Sequence, residues 1–452
     1  MQPTTGAAVV ELPADAVRDA DGRPTMALPT THLVRLSAYW LGLTAIDAAV
    51  NLFVQNRVNY GGFVQDLEVG RAQAVIGVGA AVVGIAIQPT VGAISDYTVT
   101  KWGRRKPYIV FGSLLDVAFL VAIATSNSVL GMALWIMLLA VSTNIARGPF
   151  QGYVPDLVPA KQVGMASALV GLMQVLGNVI GYALVPLSIA FGNLQASLFA
   201  VAAVELVTML SVVYRVGPGQ PARPREGRSW ASIAREAWGT DILQERSYLW
   251  MLASRLFFLM GGGVMFNLVV TYLKQTLRFS QDGAAGIQFE LLAIVAVANV
   301  LIVVPASRLS DRIGRKPVIY ASCVIGATGI GLAAIATDTT LALIGGALYG
   351  ISAGMFLSVD WALMTDIIPK AAAGRYMGLS NVATGASGLL ATAIGGVVID
   401  IVNQAAGIGS GPRAAFLVGM AFYIVAAILL GPVDPRRREE RLRDAGVVPS
   451  AA

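Results

Sequence analysis

The chain alternates between long apolar stretches and short polar interruptions along almost its whole length. Each apolar stretch holds about 20 residues, the length that a helix needs to cross the hydrocarbon core of a bilayer. We predict helices, because a single helix satisfies its own backbone polar groups in lipid. The twelve predicted spans cover 33–56, 71–96, 107–125, 129–157, 162–190, 195–215, 247–273, 284–308, 317–336, 341–368, 372–401 and 413–431.

The polar interruptions contain one motif that occurs twice. It combines a Ser-Asp pair with a following basic cluster and a proline, in Ser95-Asp96 with Gly103–Pro107 and in Ser310-Asp311 with Gly314–Pro317. The same offset of 210 residues separates Pro107 from Pro317 and Asp156 from Asp366. A constant offset indicates two copies of one half-protein. We therefore predict an all-α membrane protein with twelve transmembrane helices in two pseudosymmetric six-helix bundles.

The repeat also predicts how the chain is organised. We expect a solute pathway between the two bundles, as in transporters that are built from internal repeats. The expected segments are a disordered cytoplasmic tail over 1–32, a bundle over 33–215, a cytoplasmic linker over 216–246, a bundle over 247–431 and a cytoplasmic tail over 432–452.

The composition agrees with lipid as the solvent and excludes several other functions. Of the 452 residues, 56% are hydrophobic and 13% are charged, against about 25% charged in a typical soluble domain. No Gly-x-x-x-x-Gly-Lys-Ser/Thr phosphate loop and no His/Cys cluster with metal spacing occurs. We therefore expect no cofactor, no metal and no enzymatic activity.

The distribution of basic residues predicts the orientation. Most of the 32 Lys and Arg residues lie in the two tails and in the even-numbered loops, whereas the opposite side holds Arg57, Arg71, Lys274, Arg278 and Arg413. Basic loops stay in the cytoplasm, so both termini are expected on the cytoplasmic side. The protein itself is expected in the cell membrane. Topology explains the net charge of +6, and no nucleic acid is needed as a partner. Nothing in the sequence indicates an oligomer, and a monomer is expected.

The repeated motif places an acid at a helix end beside a basic cluster. A carboxylate there can hold arginine side chains through charge-assisted hydrogen bonds and join the ends of neighbouring helices. Breaking these bonds would allow the bundles to rock. The alternative is that the basic residues only set the topology. The candidate gating residues are Asp96, Arg104, Arg105, Asp156, Asp311, Arg315 and Asp366.

This pair of loops resembles the signature of the major facilitator superfamily. The first copy is more specific, and it is similar to the glycoside–pentoside–hexuronide:cation symporters, including the plant sucrose/proton symporters. The matching elements are Gln88-Pro89, Val91-Gly92, Ser95-Asp96, Gly103-Arg104-Arg105, Pro107, Asn144, Gly148-Pro149 and Asp156-Leu157. The resemblance implies alternating-access transport of a sugar or glycoside together with a cation.

The chain differs from that group at positions that concern the coupling cation and the substrate. The sodium-using members carry acidic residues where this chain has Gly84 and Gln88, which disfavours a sodium site of that kind. The sucrose branch has an acid and an arginine where this chain has Ala140 and Gln151. The resemblance therefore does not imply sucrose as the substrate.

Polar and charged residues inside the spans are the candidates for binding substrate and proton. Charged residues in a span usually face a cavity or a partner, and polar residues spaced by about one turn share a helix face. The candidates are Asp47, Asn51, Asn144, Arg147, Gln151, Asn178, Glu290 and Asp360. Asp116, Glu205 and Arg255 also lie in spans, and we expect a structural or interfacial role for them.

A coupling group for protons must titrate inside the membrane. His32, the single histidine, precedes the first predicted span, which leaves the carboxylates Asp47, Glu290 and Asp360. We expect proton-coupled uptake of a sugar or glycoside. Two alternatives stay open: a proton-driven exporter of a drug-like or secondary metabolite, and a non-transporting membrane component or lipid carrier.

Overall fold

A computed structural model describes residues 25–216, 224–225, 227–236, 245–367 and 373–434. These residues form fourteen α-helices and one short 3₁₀ helix, Ala160–Gln162. The α-helices are α1 (Thr30–Tyr60), α2 (Val69–Ser95), α3 (Lys106–Thr125), α4 (Val129–Gln151), α5 (Tyr153–Leu157), α6 (Val163–Ala190), α7 (Ala196–Arg215), α8 (Trp230–Glu236), α9 (Arg246–Gln275), α10 (Gln281–Ile313), α11 (Arg315–Ile335), α12 (Thr339–Ile367), α13 (Ala373–Ala406) and α14 (Ser410–Leu430).

Twelve of these fourteen described helices have 20 or more residues, and each half of the sequence supplies six of them. Eleven are long and apolar enough to cross a bilayer. The remaining one, α2, has 27 residues, and several of its side chains lie outside the described residues. The predicted fold class, an all-α membrane protein, is confirmed.

Three local features differ from the predicted spans. The fourth span divides into α4 and α5, where the Gly152 N–H bonds to the Pro149 carbonyl at 3.2 Å and tightens the turn after a proline that lacks a donor. Helix α1 begins at Thr30, because the Pro29 carbonyl accepts from the His32 N–H at 2.9 Å. His32 therefore lies inside the first turn of α1 and is buried, rather than before the span. The linker contains α8.

The first compact unit comprises residues 1–53 and 82–238. An aromatic cluster lies at its core, where the Phe150 ring meets Tyr39 edge-on at 5.0 Å and Tyr153 at 6.0 Å. The repeated glycines of α6, Gly177 and Gly181, lie directly against the backbone of α1. Small residues at a four-residue spacing allow this close approach of two helices in lipid.

The second compact unit comprises residues 54–81 and 239–452, so that it includes one end of α1 and one end of α2. The Phe258 ring stacks on Phe356 at 3.7 Å and meets Tyr423 edge-on at 5.0 Å, which joins α9, α12 and α14. Three glycines of α12 at a four-residue spacing, Gly346, Gly350 and Gly354, pack against α10, and Gly350 faces the backbone of Val295. Each unit is therefore a bundle held by aromatic contacts and small-residue helix packing.

Candidate functional site

An acid–base pair joins α1 to α4 in the first compact unit. The Arg147 guanidinium donates to a carboxylate oxygen of Asp47 at 2.6 Å, and the backbone carbonyl of Leu43 lies 3.5 Å away. The Asp47 side chain is 53% exposed and the Arg147 side chain 19%. A charged group in an apolar helix is costly unless it meets a partner or a water-filled space. The pair gives the guanidinium a counter-charge, whereas the buried Arg147 Nε has no hydrogen-bond partner among the described residues. The Asp47 side chain stays half-exposed.

Further polar candidates lie on the helices that carry this pair. Asn51 follows Asp47 by one turn and is half-buried. Asn144 precedes Arg147 by one turn and donates to the Ala140 carbonyl at 2.7 Å. Gln151, at the end of α4, is half-buried, and Asn178 on α6 is exposed. The first compact unit thus holds five amides or charges of the predicted set on α1 and α4.

A second acid–base pair lies in the second compact unit. Arg255 on α9 forms an ion pair with Asp360 on α12, and both side chains are almost fully buried. The guanidinium also donates to the Thr384 hydroxyl at 3.0 Å. The other predicted carboxylate, Glu290, is exposed on α10 and makes no hydrogen bond or ion pair with the described residues.

The two pairs occupy corresponding helices with the charges exchanged. In the first unit the acid lies on the first long helix and the base on the fourth. In the second unit Arg255 lies on the first long helix and Asp360 on the fourth. The buried pair neutralises itself, since two opposite charges in contact compensate each other in a low dielectric. The Asp47–Arg147 pair is far more exposed than the Arg255–Asp360 pair.

The first copy of the repeated motif forms a compact cluster, which we call the basic-loop cluster: Asp96, Arg104, Arg105 and Asp156. One carboxylate oxygen of Asp156 lies 2.6 Å from Arg104 and 3.1 Å from Arg105. Asp96 lies 3.1 Å from Arg105. Burial lowers the pKa of Arg105, while the two carboxylates favour its charged form. The cluster therefore joins the end of α2, the start of α3 and the short helix α5.

The second copy of the motif is arranged differently. Asp311 is exposed and makes no hydrogen bond or ion pair within the described part of the chain, and Arg315 is half-buried. The side chain of Asp366 lies outside the described residues. One feature is shared by both copies: Lys106 donates to the Val213 carbonyl at 2.9 Å, and Lys316 to the Gly431 carbonyl at 2.6 Å. Each lysine satisfies a carbonyl at the C-terminal end of a helix.

Replacing Asp156 with asparagine is expected to destabilise the protein, because two nearly buried arginines lose a shared counter-charge. Breaking one buried ion pair costs about 3 kcal/mol. The measurement is thermal unfolding of the purified protein in detergent. Asp311→Asn is the matched control, since the exposed Asp311 makes no such contact. Equal unfolding temperatures for the two variants would contradict a structural role of the basic-loop cluster.

Several functional groups were not assigned from the sequence. Arg255, expected at an interface, is instead the partner of Asp360. Asp400, on α13, accepts from the Gly70 N–H at 2.9 Å and from the Arg71 N–H at 2.7 Å. It thereby caps the start of α2, whose first N–H groups have no partner within the helix. A separation of about 330 residues leaves no local sequence signal for this contact.

These features define a multi-pass membrane protein whose helices carry paired charges and whose loops carry a repeated acid–base motif. The family model of the Major Facilitator Superfamily matches residues 41–298 and 256–450. The chain belongs to this family, whose members are membrane transporters of small molecules.

Individual relatives share limited identity with the chain. It is 25% identical over 342 residues to an uncharacterised MFS-type transporter of Methanocaldococcus jannaschii, which covers 74% of this chain and 80% of the relative. Sucrose transport proteins of Oryza sativa and Arabidopsis thaliana are each 28% identical, over 123 and 140 residues. Those matches span 23% and 28% of the plant proteins, so the chain matches only about a quarter of their length.

Solved structures show the same fold. The nucleoside transporter NupG superposes with a TM-score of 0.64 at 16% identity, covering 89% of this chain and 98% of that one. The POT family transporter PepTSo superposes with a TM-score of 0.69 at 13% identity, covering 90% and 98%. At these identities the likeness concerns the fold alone.

Proposed function

We propose that the protein is a secondary transporter that carries a sugar or glycoside together with protons. The observation that supports this proposal is the Asp47–Arg147 pair: an exposed carboxylate within a membrane span, held by a single arginine at 2.6 Å. A carboxylate of this kind can load a proton from water. Arg147 would then leave its ion pair with Asp47 and bind the solute instead.

The coupling follows from the charge on Asp47. While the carboxylate is ionised, it holds Arg147 through a charge-assisted hydrogen bond, which is about twice as strong as a neutral one. A proton removes that charge and releases the guanidinium, whose five N–H groups suit the oxygen atoms of a polyol. Binding of proton and solute together then shifts the population between alternating conformations.

A neutral polyol also fits the residues that surround the pair. Asn51, Asn144 and Gln151 carry amides, which both donate and accept hydrogen bonds as sugar hydroxyls require. The partial matches to plant sucrose transport proteins support the same substrate class. We further propose that the two expected bundles move in alternating access, in the cell membrane, with both termini cytoplasmic, on the strength of the basic-residue bias.

The test is proton movement driven by solute in proteoliposomes that contain the purified protein and an internal pH indicator. The panel holds disaccharides, simple glycosides, nucleosides, dipeptides and a cationic dye. External sugar or glycoside is expected to acidify the lumen, and a protonophore is expected to abolish solute accumulation. Proton exchange driven by the dye alone, with no response to any sugar, would overturn the proposal in favour of an exporter.

A further inference from the structure

Two buried acids meet in the first compact unit, apart from the Asp47–Arg147 pair. Asp116, near the middle of α3, and Glu205, near the middle of α7, are each 0% exposed. Their carboxyl groups contact each other. Both helices are long enough and apolar enough to cross a membrane. Two acids thus meet at mid-span, where water cannot solvate either of them.

In each of the two carboxyl groups, one oxygen accepts hydrogen bonds and the other does not. Ser142 and Thr143, both on α4, donate to Oδ1 of Asp116, the latter at 2.9 Å. Tyr39, on α1, donates to Oε1 of Glu205 at 3.2 Å and also contacts Ser113. The other two oxygens, Oδ2 of Asp116 and Oε2 of Glu205, are buried and have no hydrogen-bond partner among the described residues.

A proton between the two carboxyl groups would supply the missing donor. Two ionised carboxylates in contact repel each other and cannot both persist in a dry site. One shared proton leaves a single negative charge and turns the acid–acid contact into a strong hydrogen bond. Thr143, which donates to Asp116, lies one turn before Arg147 on α4, and Arg147 also holds Asp47. The charge of the pair therefore acts on the same arginine as Asp47 does.

We propose that Asp116 and Glu205 form a proton-binding site that holds one proton between two carboxyl groups and exchanges it with water during the working cycle. Its ligand is the proton alone. Release of that proton adds one negative charge near Arg147. This charge competes with Asp47 for the guanidinium and weakens the Asp47–Arg147 ion pair. The link to Arg147 rests on the proposed proton-coupled function, whereas the proton site itself does not.

Infrared spectroscopy of the purified protein, titrated with pH and without solute, tests the site. The carbonyl stretching band of a protonated carboxylic acid, shifted in D₂O, is expected in the wild type at neutral pH and is expected to disappear as the pH is raised. Asp116→Asn and Glu205→Gln are each expected to lose the band, because an amide N–H takes the place of the shared proton. Asp311→Asn is the control and is expected to retain the band, because Asp311 is exposed and makes no hydrogen bond or ion pair among the described residues.

Three results would overturn the proposal. They are absence of the band in the wild type, a band that persists at every pH at which the protein stays folded, and a band that survives in either single variant. Thermal unfolding checks that the variants are folded, and each single variant suffices by itself if the other fails. Because no solute is present, a titrating band without sugar-driven proton movement would retain the proton site and reject the sugar symport.

Discussion

Replacing Asp47 with asparagine is expected to abolish accumulation of the transported sugar. The amide has the size of the protonated acid and carries no charge, so the Asp47–Arg147 pair, joined at 2.6 Å in the wild type, can no longer respond to protons. Uptake driven by a proton gradient should then stop at equal concentrations inside and outside. Exchange of labelled for unlabelled sugar needs no net proton movement and should persist.

The measurement compares gradient-driven accumulation with exchange in proteoliposomes, for the sugar that the solute panel identifies. Asp282→Asn is the matched control, because Asp282 is an exposed carboxylate in the first turn of α10 and makes no ion pair among the described residues. Accumulation by the Asp47→Asn variant at the level of the control would show that another group carries the coupling proton. Loss of exchange as well as accumulation would instead assign Asp47 to solute binding alone.

Replacing Asp360 with alanine is expected to have the largest effect on stability. Arg255 would remain buried beside Thr384 without a counter-charge. Breaking a buried pair by removing one partner costs about 3–5 kcal/mol, a large share of the roughly 5–15 kcal/mol that stabilises a typical protein. Thermal unfolding in detergent and the yield of folded protein measure the loss.

Two further variants separate lost charge pairing from other causes. Glu290→Ala removes an exposed acid that lacks a described partner, and surface changes of this kind usually stay within about 0.5 kcal/mol. The double variant Arg255→Met with Asp360→Leu removes both charges and should recover most of the stability, since apolar replacements of a buried pair are often neutral. A double variant as unstable as Asp360→Ala would contradict the charge-pairing explanation.

Much of the first half of the site could be predicted from local patterns. The repeated motif brought together Asp96, Arg104, Arg105 and Asp156 as candidates, and these four residues are in contact. The same motif in the second half predicted an equivalent role for Asp311, which is exposed without a described partner. Identical motifs therefore do not have identical contacts, because the contacts depend on where neighbouring helices end.

The contact between the two buried acids could not be predicted from the sequence. Asp116 and Glu205 could be recognised as charges inside spans, yet each appeared alone on an apolar helix. Their meeting depends on the rotation of α3 against α7, which hydrophobic periodicity constrains only to a broad face. The same holds for Arg255 and Asp360. Each could be recognised in the sequence as a charge inside a span, but the contact between them could not be predicted.

The sequence by itself indicated that lipid is the solvent, predicted twelve apolar spans in two related halves, and showed which charges lie inside those spans. These properties follow from composition, length and periodicity, which are local. Only the tertiary structure decided which ionisable groups meet: Asp47 with Arg147, Asp360 with Arg255, and the two acids Asp116 and Glu205. These partners lie about a hundred residues apart in the sequence, and helix packing determines which of them come into contact. In a dry interior, the contact determines whether a carboxylate is neutralised, is exposed to solute or shares a proton.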